Sequence, residues 1–205
     1  VVEGGSLGGN GLVQGPSALT VGVEWGSSEV DTVAYGSTVT LKAAAQAVPA
    51  SDALLLSAEA GKVNFYLGGV DGTLLGTADV QTAGSIAVAI WEVTLTGESW
   101  KPSDTPYTIT ADFGGSASPG LLESTTTTAL TVQKASQTAP DAPTASAQTD
   151  NSITLNAVTG GAVGVEYKRG DGAWQTSNVF TGLEAGTPYE FRVRYTGNDY
   201  YEESI

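Results

Sequence analysis

Residues 61–80 read GKVNFYLGGVDGTLLGTADV, and this stretch decides the fold. Val63, Phe65 and Leu67 alternate with Lys62, Asn64 and Tyr66, a period of two that puts successive side chains on opposite faces of a strand. GGVDG follows, glycine-rich turn chemistry that tolerates positive φ. Thr73 to Val80 then supplies a return strand. The stretch is therefore a β-hairpin with one apolar face, and nothing in it is chemically reactive.

The same pattern recurs on both sides. Ala18 to Trp25 alternates with Leu19, Val21, Val23 and Trp25 on one face, and TVTLKAAA puts Val39 and Leu41 inward with Thr38, Thr40 and Lys42 outward. Ser85 to Leu95 reads as a long strand with Ile86, Val88 and Ile90 on one side. YTITADFG (107–114) and TTTTALTVQ (125–133) complete a set of short strands separated by turn signals, which argues for an antiparallel sandwich. ASDALLLSAEA reads equally as a short helix capped by Ser51 and stopped by Gly61. The expected fold class is all-β, two tandem antiparallel β-sandwiches: residues 1–17 a Gly-rich connector, 18–135 the first sandwich, 136–143 a Pro- and Ala-rich linker, and 144–205 a shorter second sandwich lacking its last strand.

Composition excludes more than it admits. The 205 residues contain no Cys, His or Met, which removes disulfides, thiolate chemistry, imidazole ligands and the usual general base near neutral pH. A chain without methionine is expected to be a processed product or a piece of a longer protein. With 22 acidic against 8 basic residues the net charge is -14, a field that repels nucleic acid and anionic lipid alike. No apolar run is long enough to span a membrane. Expected partners are thus a protein or a glycan, with no cofactor, and the chain is read as a monomeric part of a larger multidomain protein.

Two resemblances rest on particular residues. YGSTVTLKA, the 61–80 hairpin, YTITADFGG and LLESTTTTALTVQKA together resemble a bacterial immunoglobulin-like repeat domain of the cell-surface and adhesin type, over about residues 18–135. APDAPTASAQTDNSITLNAV and VEYKRGDGAWQTSNVFTGLEAGTPYEFRVRY are similar to bacterial fibronectin type III modules. There Leu183 and Tyr189 match the tyrosine corner, in which a phenol bonds back to the backbone. The second strand ends NAVTGG where many relatives carry a tryptophan, so Trp174 is the expected replacement in the core. What the resemblances imply is a non-catalytic structural or spacer region of an exported bacterial surface protein, extracellular or wall-associated, most naturally on a Gram-positive cell. The alternatives are an adhesion or carbohydrate-binding module, or an accessory domain of a secreted hydrolase.

Candidate sites follow from residue type. Arg169-Gly170-Asp171 is the tripeptide that integrins read in animal matrix proteins, but Asp171-Gly172 is also an ordinary hairpin signal, and the turn reading is favoured. Trp100, Tyr200 and Tyr201 stand outside the alternation and are the candidate sugar-stacking aromatics. Asp52, Asp71, Asp79, Asp104, Asp112, Asp150, Asp171 and Asp199 fall near turns without the dense spacing that holds calcium, and are read as solvated carboxylates. Lys42 and Lys62 alternate outward, away from the buried setting that an isopeptide bond needs. Phe65 is the expected centre of the first core.

Overall fold

The computed structural model describes residues 18–25, 28–46, 61–83, 86–114 and 123–204. Fifteen strands follow in chain order: β1 Ala18–Trp25, β2 Ser28–Glu29, β3 Thr32–Ala34, β4 Thr38–Gln46, β5 Lys62–Leu67, β6 Thr73–Asp79, β7 Gln81–Ala83, β8 Ile86–Thr94, β9 Tyr107–Phe113, β10 Ser124–Gln133, β11 Ala145–Gln148, β12 Ser152–Leu155, β13 Val165–Arg169, β14 Val179–Thr181 and β15 Phe191–Tyr195. Among the described residues one 3-10 turn, Glu98–Trp100, falls between β8 and β9. The chain is all-β, as the alternation requires. The connector 1–17 and the helix considered at 51–60 lie outside the described residues.

The described residues fall into two compact units: the first takes in 18–31, 38–93 and 107–130, the second 32–37, 94–106 and 131–204. In the first, β2, β1, β4, β8 and β7 lie side by side in one sheet, while β10, β9, β5 and β6 lie side by side in another. The 61–80 hairpin is β5 and β6, antiparallel from Lys62↔Asp79 to Leu67↔Thr73, with a bulge at Phe65/Tyr66. Of its expected inward face, Val63 is buried and Phe65 is 0% exposed, beside Ile109, Ala111 and Phe113 of β9, whereas Leu67, past the bulge, is part-exposed. Val39 and Leu41 of β4 are buried as well. The side chains of Leu19, Val23, Trp25 and Ile86 lie outside the described residues.

Burial decides which side of β8 faces the core. Ile90 is 55% exposed whereas Ala89 is 1% exposed, so the side that carries Val88 and Ile90 is not the core side. The reason is the volume of Trp91, which shares Ala89's face. Its indole occupies the space beside Gly76 of β6, where an added Cβ would fall 2.0 Å from Trp91 Cε2. One large ring set against a glycine fills the gap, and the smaller Ala89 suffices beside it.

The second unit starts in the last residues of β10. Thr131–Gln133 pair in parallel with β3, a departure from the otherwise antiparallel pairings expected. Further along, β11, β12 and β14 form one antiparallel sheet, and β13 pairs with β15. Leu155, Tyr167, Phe180 and Leu183 make the core between them, with Ile153, Val158, Val165, Tyr189, Phe191 and Val193 packed against it. Trp174 is not in this core, which corrects the expectation. The Phe180 and Phe191 rings, 4.8 Å apart, take the volume, and Tyr167 adds a buried ring whose hydroxyl accepts the Val158 N–H at 2.9 Å. Trp174 instead stacks with its ring centroid 4.3 Å from the Arg194 guanidinium and 4.9 Å from Lys168 Nζ, on the polar side of β13 and β15.

Because the Gly76 and Trp91 positions interlock, Gly76→Ala should destabilise the chain by about 1–3 kcal/mol through overpacking. Trp91→Leu should relieve that clash, so urea denaturation of the double variant should show a smaller loss than the sum of the singles. Additive losses would mean that the ring does not sit there.

Candidate functional site

A set of interacting polar and aromatic side chains in the second unit gathers around the hairpin that follows β15. Asn198 shapes it. Its Oδ1 accepts the backbone N–H groups of Tyr200 at 2.8 Å and Tyr201 at 2.9 Å, while its own N–H donates to Tyr201 O, an Asx turn that presents both phenols on one side. Opposite them stands Tyr35, at the end of β3, its N–H bonded to Gln133 O at 2.8 Å. The turn after it needs Gly36 at φ +85.

Tyr35 and Tyr200 have ring centroids 4.8 Å apart, and Tyr201 meets Tyr35 edge-on at 5.8 Å, both within the range where aromatic pairs attract. The Tyr35 hydroxyl accepts the Gly97 N–H at 2.9 Å, and the Tyr200 hydroxyl donates to the Glu98 carboxylate. Lys101 Nζ lies 2.5 Å from Asp199 Oδ2. Two short loops, 94–106 and 196–203, are therefore joined by ring contact, a phenol–carboxylate bond and an ion pair.

Main-chain bonds run through the same place. Ala135 N–H donates to Tyr200 O and Glu202 N–H donates to Ala135 O, each at 2.9 Å, a parallel bridge between Ala135 and Tyr201. The Gln137 amide then makes three bonds: its nitrogen donates to Thr196 O at 2.9 Å and Glu202 O at 2.7 Å, and its oxygen accepts the Ala162 N–H at 2.9 Å. Residues from both sides of 136–143 are thus held within one compact unit.

The electrostatics agree with the geometry. The hydrogen bond to Glu98, followed by burial and the negative charge of Glu98, pushes the Tyr200 phenol up to about 12. Lys101 holds Asp199 below the ordinary carboxylate value, first through its hydrogen bond and then through its charge. Nothing in the cluster is placed as a nucleophile next to a base. Among the described residues no three acidic side chains converge to hold a metal ion. What the arrangement does chemically is hold.

The sequence-derived candidates are placed as follows. Trp100 is 3% exposed, which removes it as a sugar-stacking platform. Tyr200 and Tyr201 turn their rings towards Tyr35, so they too are engaged within the protein. Arg169 is the last residue of β13 and its guanidinium lies 5.5 Å from the Tyr189 ring; Gly170 makes the turn at φ +48, and Gly172 N–H closes it onto Arg169 O at 2.9 Å. Asp171 is exposed at the tip. The Tyr189 hydroxyl accepts the Glu184 N–H at 2.9 Å beside the buried Leu183, the backbone bond anticipated for that pair.

A groove of about 580 Å³ runs between Pro140–Pro143 and Trp174, Phe191, Arg192 and Arg194. Its cations are already answered: Arg192 pairs with Glu190, and Arg194 with both Glu166 and Glu203. Residue spacing pointed to none of Tyr35, Glu98, Lys101 and Gln137. The available signal was the presence of an aromatic and a charge in each of AYGS, GESWK and NDYY, and no spacing rule connects three such loops. The chain matches no protein-family model and no curated protein sequence.

The raised phenol gives a pH signature. Folding favours the protonated form of Tyr200, so its stabilising effect is complete below pH 10 and is lost as pH rises from 10 towards 12. Absorbance titration should show one tyrosine ionising near pH 12, and Tyr200→Phe should delete that component while leaving the others. A wild-type titration that lacks this component near pH 12 would contradict the bond to Glu98.

Proposed function

We propose that this chain is a non-catalytic structural region, a spacer in an exported bacterial cell-surface protein, built from an immunoglobulin-like sandwich followed by a fibronectin type III-like one. The observation that carries the reading is the joint around Tyr35, Tyr200 and Gln137. A spacer holds position only if its parts are fixed, and here Ala135, next to the Pro- and Ala-rich stretch 136–143, and Gln137, within it, are bonded to the 196–202 hairpin of the same unit. A flexible linker would leave those backbone groups to water.

The polar chemistry supports the same reading. Exposed ion pairs such as Lys62 with Asp79 at 2.5 Å stabilise little. The acidic surface keeps chains apart at an exposed site. Burial of alternating apolar side chains supplies the stiffness, each fully buried one contributing roughly 1.5 to 3 kcal/mol.

The absence of native cysteine makes the test direct. Spin labels on Thr105→Cys and Asp171→Cys, both exposed residues of the second unit, should give a narrow distance distribution by pulsed electron paramagnetic resonance. Adding Tyr200→Ala with Lys101→Ala should broaden it. A broad distribution in the parent protein would overturn the spacer reading.

A further inference from the structure

Tyr35 and Tyr200, far apart in the sequence, meet ring against ring within the second unit, their centroids 4.8 Å apart and their planes inclined at 44°. At that separation the ring edges touch. Both rings are held in place. The Tyr35 hydroxyl accepts the Gly97 N–H at 2.9 Å, the Tyr200 hydroxyl donates to the Glu98 carboxylate, and the Asn198 side chain fixes the Tyr200 backbone N–H at 2.8 Å. Both are also partly exposed, so an oxidant in solution can take an electron from either.

The bond to Glu98 bears on chemistry as well as on packing. A phenol gives up an electron readily only when its proton leaves with it. Tyr200 holds its proton up to about 12, and the Glu98 carboxylate is the acceptor already bonded to that proton. Tyr35, partly exposed, gives its own proton to water.

We propose that Tyr35 and Tyr200 are a site of oxidative cross-linking, joined as dityrosine by hydrogen peroxide and a haem peroxidase. Each phenol loses one electron and one proton and becomes a phenoxyl radical, whose unpaired electron is shared with the ring carbons ortho to the oxygen. The two radicals pair to form one carbon–carbon bond between ortho carbons. Each ring then moves the displaced hydrogen from carbon to oxygen, which restores both phenols. The two electrons and two protons reduce one peroxide to two waters, so the product is lighter by two hydrogen atoms. A chain without cysteine forms no disulfide, and a bond from 35 to 200 restricts the unfolded chain in the same manner. The link depends on the ring contact and is independent of the spacer reading.

The test treats the whole chain, at low protein concentration, with a haem peroxidase and hydrogen peroxide and follows dityrosine fluorescence. Trypsin should then release residues 1–42 joined to 195–205, lighter than the two peptides by two hydrogen atoms, with fragmentation placing the bond on Tyr35 and Tyr200. Tyr35→Phe and Tyr200→Phe should each abolish that product, and Tyr66→Phe, in the first unit, should leave its yield unchanged. Glu98→Gln keeps an acceptor on the phenol but takes up no proton, and should slow formation by about a hundredfold, the low end of what a positioned proton acceptor contributes. Dispersed amide spectra show that each variant is folded. No product from the folded wild-type chain, a bond on other tyrosines, a product joining two molecules, or the same yield from chain unfolded in urea would each overturn the proposal. An unchanged rate in folded Glu98→Gln would overturn the role given to Glu98.

Discussion

The fold depends on burial of the apolar side of its longer strands, such as β4, β5, β9 and β10. There is no cysteine to cross-link the chain. The apolar inner faces must therefore supply nearly all of the favourable free energy, and they do it with completely buried residues such as Phe65, Leu41, Ile109 and Leu130 in the first unit and Leu155 in the second. Strict alternation has a second effect. Each inward residue commits its neighbour to the outside, so the outer faces become ordered arrays of polar groups at fixed spacing, whatever they are used for.

The joint shows how small polar devices act on top of that core. A phenol bonded to a carboxylate, two ring contacts and one surface ion pair are each modest. Their value lies in being placed together with three bonds from Gln137 and a two-bond bridge at Ala135, which satisfy backbone groups that would otherwise need water. Ordering side chains that the fold has already positioned costs less entropy than ordering free ones. A stretch rich in Pro and Ala is stiffened in this way without any apolar core of its own.

The fold was largely legible because period two is a local signal. Val39, Leu41, Val63 and Phe65 were assigned inward from their own neighbours and are buried. Where partners come from distant sequence, local reading failed. The parallel pairing of β3 with β10 joins residues about a hundred positions apart, and Ile90 faces outward because Trp91 finds Gly76 on another strand. Trp174 was expected in the core in place of the tryptophan that many fibronectin type III modules carry in the second strand, yet its neighbours Lys168 and Arg194 offered it a cation stack, and two phenylalanines filled the interior. The candidate site was legible only in pieces: Tyr200 and Tyr201 were noticed as aromatics, while Tyr35, Glu98 and Gln137 acquire meaning only once three loops are brought together.

Native-state hydrogen exchange at Ala135 and Glu202 bears most directly on the central claim that this joint is fixed. If it is, both amides exchange slowly, at rates close to those of core amides such as Tyr167, because they open only when the surrounding structure does. Exchange at the rate of an unprotected peptide, with Tyr167 still protected, would show that the joint opens freely and that the account of it as a fixed contact within the second unit is wrong.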